Sequence, residues 1–488
     1  LGLLNQDSWK RQYDLAIAVH TEAAEAAYLS GNFEEMERLV AIVLQHAQNL
    51  LEKVRVFEIK IQSYTGRAKL VEAIDTSLAV LKLLGINFPK KVSKFHVLLG
   101  LFRLKLALIG KRIEDLADLP AMTDPYRLAA VRILSDALAA AYLTSSDLVP
   151  LIVFEQVKLS IKHGNAPESA HSYSLYGLVL CGIVGDIDSG YKFGRLALNL
   201  LERFNNKKTK TKVFFVVMTF VQAWREHIKT TLDPLLEAYQ NGLDTGDLVY
   251  AAYSLYCHST NSALIGTELS ELEQSMAGCV QTFARLKQEI SRSMLATRWQ
   301  MTLNLLGQSE NSENIDRLVG RAYDEQIMLP YHLETDDRCT AFQVYLHKTL
   351  LCYLFYKFRQ ALENLKLAEQ HLVSVVSSQH YPLFYFLDSL TRLALFSESQ
   401  PVEGKQILKR VRANQKKIKH WAHHAPMNNL HKWHLVEAER YRVLGKYLQA
   451  MESYDLSISF AKENEFIQEE ALAHELAARF YLVLGGLN

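Results

Sequence analysis

Residues 445–450 read Gly445-Lys446-Tyr447-Leu448-Gln449-Ala450, and residues 31–36 read Gly31-Asn32-Phe33-Glu34-Glu35-Met36. Each stretch places a glycine, an aromatic two residues on, and a small or flexible side chain three further. The glycine lets one helix end where a side chain would clash. The aromatic plugs the corner between that helix and the next. Ala450 lets the two backbones approach. Tyr454 and Ser457 continue the same face of the second helix at the spacing of four and three that keeps neighbours on one side. Val40 and Val43 do so after Met36.

The same offsets recur at Gly185, Ile187, Gly190, Gly194 and Ala197. A copy without its glycine runs Phe358, Ala361, Leu365, Ala368, and another centres on Ala73. Repetition at roughly 34 to 40 residues is the mark of tetratricopeptide-like helical hairpins. The expected fold is all-α: an α-solenoid of stacked antiparallel hairpins, a right-handed superhelix of about 20–24 helices by that period. Such arrays bind other molecules and rarely do chemistry.

Composition agrees. Gly and Pro are scarce, at 22 and 10 in 488 residues, which favours helix nearly throughout. That length exceeds what one core organises, but a solenoid grows in one dimension. A net charge of +1 gives no general reason to expect nucleic acid or a membrane surface as partner. The most apolar stretch, 96–110, is broken by Arg103 and Lys105 and is shorter than the ~20 residues a span needs, so no membrane insertion is expected. Cys181, Cys257, Cys279, Cys339 and Cys352 are scattered without metal spacing, as free thiols in a reducing cytoplasm would be. The chain starts without Met in mid-pattern and ends Leu484-Gly485-Gly486-Leu487-Asn488, where another hairpin would turn. It reads as a piece of a longer protein.

One continuous solenoid divides into N-terminal hairpins with an apolar helix (1–112), central repeats (113–306), a polar loop and connector (307–337) and C-terminal hairpins (338–488). Pro120 and Pro125 force a loop, with Thr123 or Asp124 capping the next helix. Further breaks fall at Ser145-Ser146, Gly164 to Pro167, Asn205 to Lys208, Gly242 to Asp247 and Gly266, and residues 307–316 read as a mobile loop. Val213 to Met218 has strand propensity but sits inside a helical window.

The search for chemistry is mostly negative. Gly404-Lys405 lacks the earlier glycine and the hydroxyl of a phosphate loop, and neither a kinase motif set nor a Gly-x-Ser-x-Gly elbow occurs. His420, His423, His424, His431 and His434 cluster, with His420 and His424 four apart as in helical metal pairs. Pro426 breaks the helix just after, and no acid lies between the pair, so a structural cluster is the preferred reading. Lys405, Lys409, Arg410, Arg412, Lys416, Lys417 and Lys419 form a basic strip. Ile407, Leu408, Val411 and Ile418 give it a buried side, so it reads as a solvated helix face rather than a nucleic-acid contact. Asp186 and Asp188 in a turn read as helix caps. No catalytic, cofactor-binding or metal-binding residue is assigned.

Several segments resemble the helical middle region of large cyanobacterial-type signalling proteins: 23–85, Asp115 to Ser135, Gly164 to Phe204, Ala238 to Ser254 and His424 to Gly485. Those proteins join a serine/threonine kinase, an AAA/STAND-type ATPase, this helical region, a GAF domain and a histidine kinase. The resemblance carries no catalytic motif. It implies an interaction and signal-transducing region with protein partners or neighbouring domains of the same polypeptide. The competing reading is a small-molecule sensor with a pocket inside the superhelix. An enzyme is the third reading, and no motif supports it. The apolar residues Phe466, Ala471, Leu472, Leu476, Phe480 and Leu484 suggest a last helix with one uncovered face, open to self-association.

Overall fold

The computed structural model describes residues 7–67, 69–143, 147–309 and 315–485. These contain 23 α-helices and no strand; two isolated bridges, Ala121 to Asn165 and Val319 to Asp324, are the only β-type pairings among them. Most helices pack on the next in sequence or the next but one, which is an α-solenoid. Ser145-Ser146, residues 310–314 of the polar loop and residues 486–488 lie outside the described residues. The chain forms two compact units, Leu1–Tyr176 with Arg195–Asn205, and Gly177–Gly194 with Asn206–Asn488.

The first unit holds α1 (Ser8–Arg11), α2 (Tyr13–Leu29), α3 (Phe33–His46), α4 (Leu50–Gly66), α5 (Leu70–Leu83), α6 (Lys94–Leu108), α7 (Pro125–Leu143) and α8 (Leu148–His163). The unit boundary runs through α9 (Ser169–Leu178) and α10 (Ile187–Phe204). Met36, Leu39, Val40 and Val43 of α3 close a core with Ala24, Ala27, Val56 and Ile59. Asn32 caps α3, its side chain accepting from Glu35 N at 3.3 Å. Asn49 and Glu52 cap α4 reciprocally. Most of the apolar stretch 96–110 is α6, whose Leu104 is buried while Phe95, Leu98 and Phe102 are exposed, as is Ile109 just after it.

The second unit runs α11 (Lys207–Phe220), α12 (Leu232–Thr245), α13 (Leu248–Leu264), α14 (Leu269–Arg285), α15 (Glu289–Leu305), α16 (Glu325–Glu334), α17 (Arg338–Leu354), α18 (Phe358–Gln370), α19 (His380–Ala394), α20 (Pro401–His424), α21 (Pro426–Val443), α22 (Tyr447–Glu463) and α23 (Ile467–Gly485). Val213 to Met218 is helical, inside α11. Odd-numbered helices from α11 to α23 each touch the next odd one, so they form one layer, and each even-numbered helix packs against it. Three-residue and four-residue 3₁₀ turns at Gln222–Trp224 and Ile228–Thr231 follow α11. This segment meets residues more than 150 positions away: Trp224 Nε1 donates to Ser377 O at 3.0 Å, and Asn428 Nδ2 donates to Ala223 O at 2.8 Å and Glu226 O at 2.7 Å. Ala223, Ile228, Ala461 and Phe466 share one apolar cluster. Within this unit the array therefore winds back onto its own start.

The last helix differs from the expected pattern. Its buried row is Phe466, Glu469, Ala473, Ala477 and Phe480. Ala471 is exposed, while Leu472, Leu476 and Leu484 line a cleft facing residues 353–358. The reason is packing: the small Ala473 and Ala477 let α23 sit close to α22, rotating the bulky leucines toward α17 and α18.

Candidate functional site

The layer of odd-numbered helices in the second unit carries an unusual load of buried polar side chains. On α15 alone Ser291, Thr297, Arg298, Gln300, Thr302 and Asn304 are buried, and α17 adds Thr340, Gln343, His347 and Thr349. Buried polar groups cost free energy unless paired, so their partners decide what this layer can do.

Most are satisfied. Asp388, 1% exposed, accepts from Arg392 Nε at 2.7 Å, Arg410 Nε at 2.9 Å and Asn414 Nδ2 at 2.7 Å. Glu439 takes Arg442 Nε at 3.0 Å and the Tyr454 hydroxyl. Glu437 takes Arg440 and Gln415.

At the return contact the pairing is looser. Lys432 Nζ donates to Asn428 O at 3.0 Å and to His431 Nε2 at 2.9 Å, lies 4.5 Å from the centroid of the Phe466 ring, and stands 3.4 Å from Glu469 Oε1. Burial pushes the Glu469 carboxyl up and the Lys432 ammonium down, each offset in part by the other. Glu469 Oε2 and Gln379 Nε2 have no partner and line a void of about 20 Å³.

Arg298 is the exception. It is 4% exposed, and its guanidinium makes one hydrogen bond, from Nη2 to His380 Nε2 at 3.1 Å. Thr297 Oγ1 donates to Met294 O at 2.8 Å, so it accepts from His347 Nδ1 at 3.2 Å, which leaves His347 Nε2 buried with a bare lone pair. Burial, then the nearby Arg298 charge, hold the His380 imidazole down to about 3 and His347 well below the usual histidine range. Both rings are neutral near pH 7. Tyr256, which receives Gln343 Nε2, completes the surroundings; burial pushes its phenol up.

A separate cleft of about 320 Å³ is lined by aromatics, among them Tyr353, Tyr356 and Phe480, and by Arg442 and Arg479 with their carboxylates Glu439 and Glu475. Both cations are already engaged: Arg479 stacks 3.7 Å from the Tyr356 ring centroid and pairs with Glu475 at 3.3 Å.

The residues picked out by the repeat register lie elsewhere. Gly31, Gly185 and Gly445 stand at helix ends with φ of +77°, +80° and +69°. Met36, Ala73, Ile187, Ala361 and Ala450 are buried, Phe33 and Phe358 half-buried, and Tyr447 exposed on one edge while its ring meets Phe480. The histidines disperse: His420 and His424 adjoin on α20, His431 stacks on Phe466, and His434 stacks on Phe460. No group of three metal-ligating side chains occurs among the described residues. Asp186 caps α10 through Ser189 N at 3.2 Å, and Asp188 pairs with Arg225. On α20 the basic residues flank a buried row of Ile407, Val411 and Ile418, and Lys417 Nζ sits 4.0 Å from the Tyr385 ring centroid. Arg298 escaped the sequence reading, although a signal exists: it is the lone charged residue between Ser293 and Ser309.

No family model matches the chain. Part of it is similar to the hybrid signal transduction histidine kinase G of Dictyostelium discoideum, at 21% identity over 285 residues, 54% of this chain and 8% of that protein. The chain thus corresponds to a small part of that relative's length. Among solved structures, a circular tandem repeat protein with novel repeat topology and enhanced subunit contact surfaces aligns with 98% of this chain and 99% of its own, at 12% identity and a TM-score of 0.13, too low to carry an argument. The chain is a helical repeat array with weak similarity to a signalling protein. No described helix is long and apolar enough to cross a membrane.

Proposed function

We propose that the chain is a non-catalytic helical repeat region of a larger signalling protein. It would relay between an upstream kinase and ATPase module and a downstream GAF and histidine-kinase module, with those modules or separate proteins as partners. The observation that supports relay is the return contact. One buried side chain, Asn428, holds three backbone groups of the segment after α11: Ala223 O, Glu226 O and, through its Oδ1, Ile228 N at 3.1 Å. Around it Lys229 pairs with Glu465 at 2.6 Å, His227 Nε2 meets Asn464 O at 2.9 Å, and Gln468 Nε2 donates to Leu264 O at 2.6 Å. A contact of this kind joins the beginning and the end of the unit, giving the continuous packed connection through which coupling would run.

The test is Asn428→Ala. It removes the partner of three backbone groups, two of them buried and worth about 1–3 kcal/mol each when left unmade. Hydrogen exchange should quicken together at 220–231 and at 464–468. In the polypeptide that carries the kinase modules, the same change should uncouple autophosphorylation from the state of the upstream module. Faster exchange confined to the neighbours of residue 428, with phosphorylation unaltered, would remove the relay reading.

A further inference from the structure

Seven Asp, Glu, Lys and Arg side chains are buried among the described residues: Glu58, Arg298, Asp388, Lys432, Glu437, Glu439 and Glu469. Six have an opposite charge within ion-pair distance. Glu58 has Arg132 at 2.7 Å, Asp388 has Arg392 and Arg410, Lys432 and Glu469 have each other, Glu437 has Arg440, and Glu439 has Arg442. Arg298 has none. The nearest group acting on its charge favourably is the Tyr256 phenol, neutral at pH 7. A guanidinium does not escape by losing its proton. An uncompensated buried ion costs several kcal/mol even after relaxation. In a layer where every other buried charge is paired, this omission calls for an anion that the chain does not supply.

We propose that the inner layer of the second unit binds the carboxylate of a small organic acid against Arg298. Four features select that class. The guanidinium spends one N–H on His380, leaving donors of its planar fork for a planar, bidentate acceptor. The site's charge is +1, because His347 and His380 are neutral beside it, so a monoanion balances it and a phosphate dianion would not. His347 Nε2 offers a buried, unused acceptor for a hydroxyl or ammonium carried next to the carboxylate. Finally, Arg298 on α15, His347 on α17 and His380 on α19 come from three successive inner helices, so an occupant would tie three hairpins together. The assignment holds whether or not the array relays between kinase modules, since it concerns binding by this chain alone.

The experiment is thermal melting of the whole chain, native and Arg298→Met, at about pH 8, where phosphate is mostly the dianion and the histidines stay neutral. Sodium acetate, sodium lactate, sodium phosphate and sodium chloride are titrated at matched ionic strength. The native midpoint should rise saturably with acetate, rise further with lactate through its added hydroxyl, and stay flat with chloride and phosphate. Arg298→Met should show no carboxylate response. In carboxylate-free buffer its midpoint should equal or exceed the native one, because methionine removes an unpaired buried charge. Identical responses of both chains to acetate and chloride would overturn the proposal. So would a lower midpoint for Arg298→Met without any carboxylate, since that would mean the charge is compensated internally. If the variant does not fold, line broadening of ¹³C-acetate by the native chain decides: saturable broadening that lactate displaces supports the site, and its absence overturns it.

Discussion

At the scale of the residue, the helix ends show how far the repeat could be read. Gly31 and Gly445 occupy the left-handed position after α2 and α21, and the next amide closes the loop: Asn32 N to Ala27 O at 2.8 Å, Lys446 N to Tyr441 O at 2.9 Å. The copy that lacks its glycine is built the same way. Tyr356 follows α17 with φ +60°, and Lys357 N reaches Cys352 O at 2.8 Å. Lys287 and Glu465 do likewise after α14 and α22, with Gln288 N to Phe283 O and Phe466 N to Ala461 O both at 2.9 Å. Glycine marks the motif in sequence, but the hydrogen bond enforces it, so copies with Lys, Glu or Tyr there must be read from the face that follows, as Phe358, Ala361, Leu365 and Ala368 allow after Tyr356. Opposite outcomes follow. A Cβ at Gly445 or Gly31 meets nothing within 4 Å, so Gly445→Val and Gly31→Val suffer from backbone strain alone, about 1–2 kcal/mol each. Lys287→Gly should gain about 0.5–1 kcal/mol by relieving the same strain at an exposed position. Urea midpoints that moved the same way for Gly445→Val and Lys287→Gly would contradict this account.

At the scale of the element, the turn between α9 and α10 shows a glycine of another kind. Residues Val179–Val184 form a π-helical turn that widens the end of the helix, and Gly185 terminates it. In sequence Gly185 fits the repeat register and Gly182 does not. It is Gly182 that packs: a Cβ there would stand 2.4 Å from Ser377 Cβ and 3.0 Å from its Cα. Ser377 cannot retreat. It is fully buried at φ +71°, its hydroxyl donates to Phe220 O at 2.8 Å, and its carbonyl receives the Trp224 indole. Gly182→Ala should therefore destabilise the second unit by about 1–3 kcal/mol, with Trp224 fluorescence reporting the loosened contact. An unshifted melting midpoint and an unchanged emission maximum would show that the turn can yield. The helices themselves were legible, because apolar spacing sets them. Which helices form the inner layer was not. A buried Ser, Thr or Gln on α15 or α17 looks in sequence like a solvent-facing one, and only the third dimension separates them.

At the scale of the whole molecule, the inner layer makes stability depend on pH in a direction set by its histidines. His347, His380 and His431 are at most 5% exposed. Burial lowers all three, reinforced by Arg298 for the first two and by Lys432 for the third. Burial also brings His434 down to about 4, with Glu437 opposing. In the unfolded chain each takes a proton near 6.5, while in the folded chain His380 resists until about 3. Between those limits the unfolded state binds more protons, so stability falls as the medium is acidified. The loss is up to about 1.4 kcal/mol per pH unit for a fully buried histidine. Above 6.5 these groups are neutral in both states and contribute no slope. Glu469 and Glu168 work the other way, since burial raises their carboxyls and they gain a proton in the folded state first, but they are two groups against several. Urea unfolding should therefore show a plateau above pH 6.5 and a steep decline toward pH 4. His434→Phe should make the decline shallower between 6.5 and 4 while leaving the plateau in place, because this ring accepts no hydrogen bond and already stacks on Phe460 at 5.6 Å. A native profile that stays level from 6.5 down to 4 would mean that the histidines hold protons in the folded state as firmly as in the unfolded one, and would contradict this account.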